Sequence, residues 1–437
     1  MQNKNNHNTL NKIYFIIIIT NPKNFKCFNN ISFYLFSDII LFYFISKLIL
    51  ITKNYFIKKI FILNNWKKIY YFKVSKMEQP SEAKPDLSRF HSIIAIGNPI
   101  VDISAEIDSE NLQKYRLKWG DTLFADENNK GFYDFLESKP EVTYIPGGSI
   151  QNSLRVASWC LSMEPENKDR YSMTMLGATG EDGYKEKIID ALKSAGVKPL
   201  LQAIPNMSTS RCGVGIFQKE RSLLTEIRAS NCLTEEFVKE NEDEIFKNDA
   251  ILIEGYFLQE KFELCKNLCL EFKKRNKSVI LTLSAVFMVE VHKDKIMEIS
   301  QLADIIVSNI EEMKVFAETK EEGYKEILEK AFKKLNEGDR LFVVTDGSKG
   351  VVASKFDYKR GIVDFITQSF PIIMKTEEIV DLNGAGDAFL GGFLSQFMKG
   401  CSLHACCRAG NDASSIILKN VGCTFSNTKD VKIVFGK

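Results

Sequence analysis

Short hydrophobic runs and helical patterns alternate along the chain from residue 92 onward. Residues 92–97 are mostly apolar and end in a glycine, which predicts a buried strand, while residues 100–107 alternate like a half-exposed strand. After Thr234 the pattern is regular, with strands predicted near 249–253, 278–283, 303–307 and 340–345, and helices near 259–275, 309–318 and 322–336. Strands that alternate with helices predict a parallel sheet with helices on both faces.

Further elements are predicted between residues 147 and 228. Ser149 follows a glycine pair, and we expect it to cap a helix that runs to about Cys160 with its apolar positions on one face. A strand at 173–178 and a helix at 182–194 follow. Residues 211–217 and 222–227 are predicted to pair as a hairpin around a charged turn.

Glycines and polar residues follow many of the predicted strands. Ligands of open α/β sheets bind beyond the carboxyl ends of the strands. The candidates at that edge are Asn98, Asp102, residues 147–152, Gly255, Asn309, residues 345–347 and residues 384–387. Their number predicts one ligand site at this edge of the sheet.

Residues 381–387 carry the most informative motif, Asp-Leu-Asn-Gly-Ala-Gly-Asp, and an apolar helix is predicted after it. Gly384 and Gly386 allow backbone N–H groups to approach a ligand, and the start of a helix favours an anion such as phosphate. An aspartate at this place would repel a bound anion. The conflict disappears if Asp387 takes the proton of a hydroxyl group that attacks the phosphate, so the motif predicts a phosphoryl-transfer site.

Two other interpretations of this motif stay open. Asp387 can simply cap a helix after a glycine turn, and residues 384–386 begin like a dinucleotide-binding loop. The second interpretation is disfavoured because the third glycine is misplaced and no βαβ unit follows. A P-loop enzyme is disfavoured as well, since the pattern G-x-x-x-x-G-K-[ST] does not occur in the chain.

Residues 1–76 differ from the rest of the chain in composition. They contain twelve Lys, a single acid (Asp38) and no Arg, Glu, Gly or Ala. They can be a membrane anchor around residues 31–52, a targeting peptide, or translated upstream sequence that is absent from the mature protein. We favour the third interpretation, with Met77 as the natural start, because Asp38 and Lys47 interrupt the apolar stretch and neither targeting pattern is present.

The remaining 361 residues have a net charge of −9, which argues against a nucleic-acid-binding protein. Nine of the ten cysteines lie here without a CxxC pair, and we interpret them as core residues in a reducing compartment. Four scattered histidines give little support to a histidine-based zinc site or catalytic triad. The size allows one large domain and a small accessory one.

Six motifs in this order resemble the ribokinase-like (PfkB) carbohydrate kinase family, over residues 93–425. They are residues 97–104, residues 146–153, residues 283–285, Asn309 with Glu312, residues 383–387 and residues 422–425. The Gly-Asn-Pro opening and the Gly-Gly-Ser-Ile-Gln-Asn block are typical of the family members that phosphorylate adenosine. The resemblance implies a three-layer α/β/α sandwich with a mostly parallel central sheet, and a small β-sheet lid from about residues 101–146 and 206–228.

The resemblance also implies roles for individual residues. Asp387 corresponds to the catalytic base that acts on a nucleoside 5′-hydroxyl group, and Gly384, Ala385 and Gly386 correspond to the anion hole. The residues expected to bind the acceptor are Asn98, Asp102, Gly147, Gly148, Ser149, Asn152, and Tyr256 or Phe257 as a wall for the base. The residues expected to bind ATP are Asn309, Glu312, Thr345, Gly347, Asn383, Asn411 and Arg221.

Some of these assignments have a structural alternative. Asn309 and Glu312 are expected to order Mg²⁺ near ATP, with Glu312 acting through water, but the same pair can cap a helix. Arg221 can be a solvated turn residue. The sequence departs from the family pattern at four positions: Leu382 stands where threonine is usual, Asn411 where histidine is frequent, Val286 where proline is usual, and Glu254 where a small residue is common.

The expected reaction is therefore phosphoryl transfer from ATP to adenosine, which makes AMP in purine salvage. Mg²⁺ is the expected cofactor. The protein is expected to be a cytoplasmic monomer, and residues 77–437 are not expected to contact a membrane. Two alternatives stay open: a kinase for another nucleoside or a sugar, and a weakly active nucleoside-binding protein.

Overall fold

The computed structural model describes residues 14–18, 55–61, 69–76, 90–120, 122–164, 167, 169–217, 220–336, 338–368 and 378–425. They divide into two units, Met1–Ala83 and Lys84–Lys437. In the first unit, an antiparallel sheet has the order β1-β3-β2, with bounds β1 Tyr14–Ile18, β2 Tyr55–Phe61 and β3 Ile69–Lys76. The candidate anchor at residues 31–52 lies outside the described residues, and so does Met77. Within the described ranges, no helix combines the length and the apolar character that crossing a membrane requires.

The second unit is built on a nine-stranded sheet with the order β17-β16-β15-β14-β13-β12-β4-β8-β9. Its strands are β4 Ser92–Ile96, β8 Ser172–Gly180, β9 Val197–Ile204, β12 Ala250–Glu254, β13 Ser278–Thr282, β14 Ile305–Asn309, β15 Arg340–Thr345, β16 Val351–Asp357 and β17 Gly361–Gln368. Seven neighbouring strands, from β15 to β9, run parallel, and β16 and β17 extend the edge in antiparallel fashion.

Helices cover both faces of this sheet, because successive residues of each buried strand point to opposite sides. On β4, Ile93 and Ala95 belong to one hydrophobic cluster, and Ile94 and Ile96 belong to the other. The first face is covered by α3 Ser149–Ser162, α4 Gly183–Ser194, α12 Ala385–Met398 and α13 Leu403–Ile417. The second face is covered by α5 Glu235–Glu240, α6 Glu242–Phe246, α7 Leu258–Lys274, α8 Val286–Val291, α9 Lys293–Leu302, α10 Ile310–Ala317 and α11 Tyr324–Lys333.

A second, smaller sheet has the order β6-β11-β10-β5-β7. Its strands are β5 Ile100–Glu106, β6 Thr122–Phe124, β7 Thr143–Gly147, β10 Ser210–Phe217 and β11 Glu220–Glu226, and its helices are α1 Ser109–Lys114 and α2 Gly131–Glu137. Phe132 of α2 packs against Gly213 and Gly215, where any larger residue would collide with it or with Ile107. The predicted α/β/α sandwich with a smaller β-sheet is therefore confirmed, while the action of that sheet as a lid stays a prediction.

The predicted elements agree with the structure to within a few residues, with two kinds of difference. Ser149 was expected to cap α3, but it is the first helical residue, and Gly148 takes the cap position with a φ of 91° that favours glycine. The elements that were not predicted are strands β6, β7, β9, β16 and β17 and helices α1, α2, α5, α6, α8 and α9. Strands β9 and β17 form the two edges of the large sheet, and β16 lies between β17 and β15. Strand β9 is only partly buried along most of its length, so it lacks a continuous apolar run.

Candidate active site

The start of α12 forms one wall of the candidate site. Gly384 caps the helix with a φ of 77°, and a Cβ at this position would also lie 2.9 Å from Cys423 Cβ, so both backbone shape and space require glycine. The first N–H groups of a helix have no partner within the helix. Gly386 is exposed, and apart from its chain neighbours and the backbone of its own helix, no atom of the described residues lies within 4 Å of the position that its Cβ would take. This open backbone can receive an anion.

Asp387 sits in the first turn of α12 and is held by α3. Ser149 Oγ donates to Asp387 Oδ1 at 2.7 Å, and Asn152 Nδ2 donates to Asp387 Oδ2 at 3.0 Å. Burial raises the pKa of Asp387 above its ordinary value, and these two hydrogen bonds oppose that rise because they favour the charged form. The carboxylate is thus fixed in place and its proton affinity is increased.

Asp102 of β5 faces the same region from the smaller sheet. Burial and the nearby carboxylates of Asp387 and Asp381 raise its pKa to about 7, against the opposing charges of Arg221 and Arg155. A Cβ on Gly147 would lie 2.1 Å from Asp102 Oδ1, so the glycine lets this carboxylate rest against the backbone.

Residues 147–149 therefore lead from one carboxylate to the other. Gly147 borders Asp102, and Ser149 contacts Asp387. A Cβ on Gly148, the residue between them, would lie 2.3 Å from the backbone oxygen of Asn98. The structure consequently brings together Asn98, Asp102, the Gly147–Gly148 pair, Ser149, Asn152 and Asp387, as the sequence predicts for one site.

The two candidate aromatic residues lie in different environments. The ring of Tyr256 is 6.0 Å from the ring of Phe287, and the Tyr256 pKa is raised by burial and by the charges of Glu254, Glu312 and Asp387. Phe257 is fully buried in the hydrophobic cluster on the second face of the large sheet. Tyr256 can therefore form a wall of the ligand site, whereas Phe257 is a core residue.

Asn309 and Glu312 form a capping box at the start of α10. Asn309 Oδ1 accepts from the Glu312 N–H at 2.8 Å, and Glu312 Oε2 accepts from the Asn309 N–H at 3.1 Å. Burial raises the pKa of Glu312 to about 7. The structural alternative, helix capping, is thus present. Each carboxylate oxygen still has a free lone pair for a metal-bound water, so the cap and a role near Mg²⁺ are compatible.

The other residues expected to bind ATP are spread over four elements. Thr345 ends β15, Gly347 follows it with a φ of 50°, and Asn411 is a buried residue of α13 whose Nδ2 has no partner among the described residues. The backbone N–H of Asn383 donates to Asp381. Arg221 is paired with Asp381 and is mostly buried, so it is not a solvated turn residue.

Sequence reasoning missed the supporting role of Arg155. Its Nη1 donates at 3.3 Å to Asn152 Oδ1 and at 3.4 Å to the backbone oxygen of Cys423, and its guanidinium group lies over the ring of Phe425. Arg155 thereby turns the amide of Asn152 so that Nδ2 faces Asp387. A buried arginine within an otherwise apolar helix stripe was the signal that could have revealed it.

Comparison with known proteins gives consistent results. Residues 115–430 match the family described as pfkB family carbohydrate kinase. Adenosine kinase 2 of Arabidopsis thaliana is 32% identical over 347 residues, and the match covers 77% of this chain and 96% of that protein. Adenosine kinase of Dictyostelium discoideum is 31% identical over 339 residues, and the match covers 76% of this chain and 96% of that protein. The crystal structure of Anopheles gambiae adenosine kinase in complex with P1,P4-di(adenosine-5) tetraphosphate superimposes with a TM-score of 0.65 at 28% identity, covering 77% of this chain and 97% of that one.

Proposed function

This chain belongs to the pfkB family of carbohydrate kinases, and from that membership we propose that it transfers the γ-phosphoryl group of ATP to the 5′-hydroxyl group of adenosine, giving AMP and ADP. It is an ATP-dependent phosphotransferase with a hydroxyl acceptor. The observation that carries the proposal is the position of Asp387, which stands at an open helix start and is linked through residues 147–149 to Asp102.

Asp387 acts as the general base in this proposal. Its pKa is raised by burial, which increases its affinity for the proton of the attacking 5′-hydroxyl group, and Ser149 and Asn152 hold the carboxylate in one orientation. As the hydroxyl oxygen attacks the γ-phosphorus, the proton passes to Asp387 and the bond to the ADP oxygen breaks.

The start of α12 stabilises the charge on the transferred phosphoryl group. The backbone N–H groups of Gly384, Ala385 and Gly386 surround the turn into the helix, and the glycines keep side chains away from it. A preorganised donor of this kind typically contributes about 3–4 kcal/mol to transition-state stabilisation.

The acceptor and ATP bind on either side of Asp387 in this proposal. Asp102 and Asn98 bind the ribose, Gly147 and Gly148 allow its close approach, and Tyr256 stacks on the base. Asn309, Glu312, Thr345, Gly347, Asn383 and Asn411 lie on the ATP side. ATP arrives with a divalent cation, for which we propose Mg²⁺: this ion usually keeps several waters and needs only one or two carboxylates besides the phosphates, which suits Glu312.

The smaller sheet would close over the bound substrates and exclude water, which limits wasteful hydrolysis of ATP. None of the residues assigned to this chemistry lies within residues 1–76, and the absence of that segment from the mature protein stays a prediction. A monomeric state and a cytoplasmic location likewise stay predictions.

The first test is formation of AMP from adenosine and ATP, with inosine, guanosine, ribose and fructose as competing acceptors. We expect adenosine to have the highest kcat/KM. A preference for a sugar or another nucleoside would contradict the proposed acceptor. Adenosine binding without AMP formation at high enzyme concentration would contradict the proposed reaction.

The second test replaces the base. We expect Asp387→Asn to bind adenosine normally but to lower kcat by about 10²- to 10⁴-fold, the range of a positioned general base. Asp108→Asn is the matched control, because Asp108 caps α1 and asparagine caps helices as well as aspartate does. Gly384 and not Asp387 caps α12, so the alternative to a base is that Asp387 only anchors Ser149 and Asn152 of α3. In that case both variants would retain near-normal turnover.

A further inference from the structure

Glu254 is a buried carboxylate at the end of β12, and it stands where the resemblance places a small residue. It is only 1% exposed. Its Oε1 accepts from the Asn98 N–H at 2.9 Å and from Asn98 Nδ2 at 3.2 Å, and its Oε2 accepts from the Ile150 N–H at 3.3 Å. A Cβ on Gly97 would lie 2.8 Å from this carboxyl group, so Gly97 provides the space that Glu254 occupies.

These hydrogen bonds lie at the centre of the sheet edge. Strands β4 and β12 are neighbours, and the sheet continues from them in opposite directions, to β8 and β9 on one side and to β13, β14 and β15 on the other. Ligands of open α/β sheets bind in the crevice at such a reversal. Glu254 thus joins the segment after β4, which carries Asn98, to the first turn of α3, which carries Ser149 and Asn152.

The contact with Glu254 also determines which end of the Asn98 amide faces the site. Glu254 Oε1 accepts from both the backbone N–H and the side-chain NH₂ group of Asn98, so the carbonyl oxygen of the amide is turned away from Glu254. Asn98 is 6% exposed, and none of the described residues donates to its Oδ1. Buried polar atoms are normally hydrogen-bonded, so this oxygen is suited to a hydroxyl group of a ligand.

We propose that Glu254 is a positioning residue that orients the Asn98 amide so that its carbonyl oxygen accepts a hydrogen bond from a ribose hydroxyl group. The inference deepens the proposed function and rests on it. Asn98 Oδ1 and the Asp102 carboxylate then form a pair of acceptors around residues 147–148, and the two hydroxyl groups of a ribose are a matching pair of donors.

This arrangement makes selection for a complete ribose depend on Glu254. A site built to hydrogen-bond a substrate hydroxyl group strongly rejects an analogue that lacks it, because the buried acceptor is left without a partner. Once the Asn98 amide is free to rotate, it can present either end to the ligand. The penalty for a missing hydroxyl group then becomes smaller.

The test compares adenosine with 2′-deoxyadenosine and 3′-deoxyadenosine in the wild type, Glu254→Gln and Glu254→Ala. The assays are run at pH 8, above the Glu254 pKa of about 7, so that the wild type has an ionised carboxylate. Glutamine then has the same shape but cannot accept at both Asn98 and Ile150, and alanine restores a small side chain that the family fold tolerates. We expect the wild type to prefer adenosine over at least one deoxynucleoside by about 100-fold or more in kcat/KM. We expect both variants to narrow that preference at least about tenfold, while KM for ATP stays unchanged.

Asp249→Asn is the matched control. Asp249 precedes β12 and accepts from the Ser92 N–H at 3.1 Å, so it joins the same two strands at their opposite ends. We expect it to leave the nucleoside preference unchanged. An equal loss of kcat/KM for all three nucleosides in the Glu254 variants, or an unchanged preference, would overturn the proposed role.

Calorimetric titration with the same three nucleosides separates this inference from the proposed function. If the wild type binds adenosine but forms no AMP, the proposed reaction fails, and the ratio of dissociation constants still tests Glu254. We expect that ratio to narrow in both Glu254 variants. If the ratio of dissociation constants is the same in the variants as in the wild type, Glu254 does not orient Asn98 for ribose binding.

Discussion

Arg221 Nε lies 2.8 Å from Asp381 Oδ1, and the two side chains are only 9% and 0% exposed. Asp381 also accepts from the backbone N–H groups of Asn383 and Gly422. One buried carboxylate therefore joins strand β11 of the smaller sheet, the loop before α12 and the loop after α13. The sequence places Arg221 near the phosphates of ATP, and that role stays a prediction beside the observed ion pair.

Breaking this pair should destabilise the protein strongly. Arg221→Met keeps the length of the side chain but leaves the Asp381 charge buried without its cation, so we expect the free energy of unfolding to fall by about 3–5 kcal/mol. Arg228→Met is the control, because Arg228 pairs with Glu226 just beyond the same strand but is one-third exposed. Its loss should cost less than about 1 kcal/mol in denaturant unfolding. Similar losses in both variants would contradict a special role for the buried pair.

Asn152 should influence the pH dependence of turnover. Its hydrogen bond favours the charged form of Asp387 and lowers that pKa against the effect of burial. In Asn152→Ala the pKa of Asp387 should rise, so the base is protonated over more of the acidic range. We expect the acidic limb of the kcat profile to move to higher pH, with a larger loss of activity at low pH than at high pH.

The control for this experiment is Ser153→Ala on the same helix, since Ser153 Oγ donates to the backbone oxygen of Ser149 and not to Asp387. The acidic limb of the kcat profile of Ser153→Ala should have the same midpoint pH as that of the wild type. If Asn152→Ala lowered kcat by the same factor at every pH, Asn152 would contact the sugar without affecting the base.

The hydrophobic pattern predicted the central strands well because parallel strands between two helical layers are buried on both faces and read as continuous apolar runs. Ile251 and Leu252 belong to opposite clusters and are both fully buried. Strand β17 lies at an edge of the sheet, and β16 beside it has only a short buried run, residues 351–354. Both join the sheet by antiparallel pairing with neighbouring strands, which a local pattern does not encode.

The candidate site, like the fold, has some residues that could be predicted from the sequence and others that could not. Asp387 and residues 147–149 could be predicted because small or acidic residues stand where helices begin. Asp102 lies inside strand β5, and it could be predicted from the motif that it shares with Asn98.

Glu254 could not be assigned a role, because it acts on Asn98, which is 156 positions away. Arg155 acts on Asn152 within the same helix, but its other contacts, with Cys423 and Phe425, come from a distant part of the chain. Position along the chain does not reveal which amide a buried charge orients.

Leu382 should reduce affinity for ATP. It is 72% exposed and stands beside Asn383 in the loop that leads into the helix start, where the family pattern has threonine. Leu382→Thr adds a hydroxyl group that can hydrogen-bond near the phosphates, so we expect KM for ATP to fall about two- to tenfold, the equivalent of one hydrogen bond. Leu382→Val is the control, since valine has the shape of threonine without the hydroxyl group. An equal change in both variants would assign the effect to side-chain size.

Glu254 should lower stability at neutral pH while it serves the site. Burial raises its pKa from 4.5 to about 7 in the folded protein. The folded state therefore keeps a proton that the unfolded chain releases, and this contribution to stability is complete below pH 4.5 and lost as the pH rises through 7. Glutamine resembles the protonated acid and does not titrate.

Comparison of Glu254→Gln with the wild type across pH therefore isolates the titration of this one group. At pH 4 and below, the two proteins should differ only by the altered hydrogen bonds. Between pH 4 and 8 the wild type should lose about 3 kcal/mol of stability relative to the variant, the equivalent of the pKa shift. Chemical denaturation at several pH values measures this difference. A constant difference between Glu254→Gln and the wild type would mean that Glu254 is already ionised in the folded protein at pH 5, and that its burial does not raise its pKa.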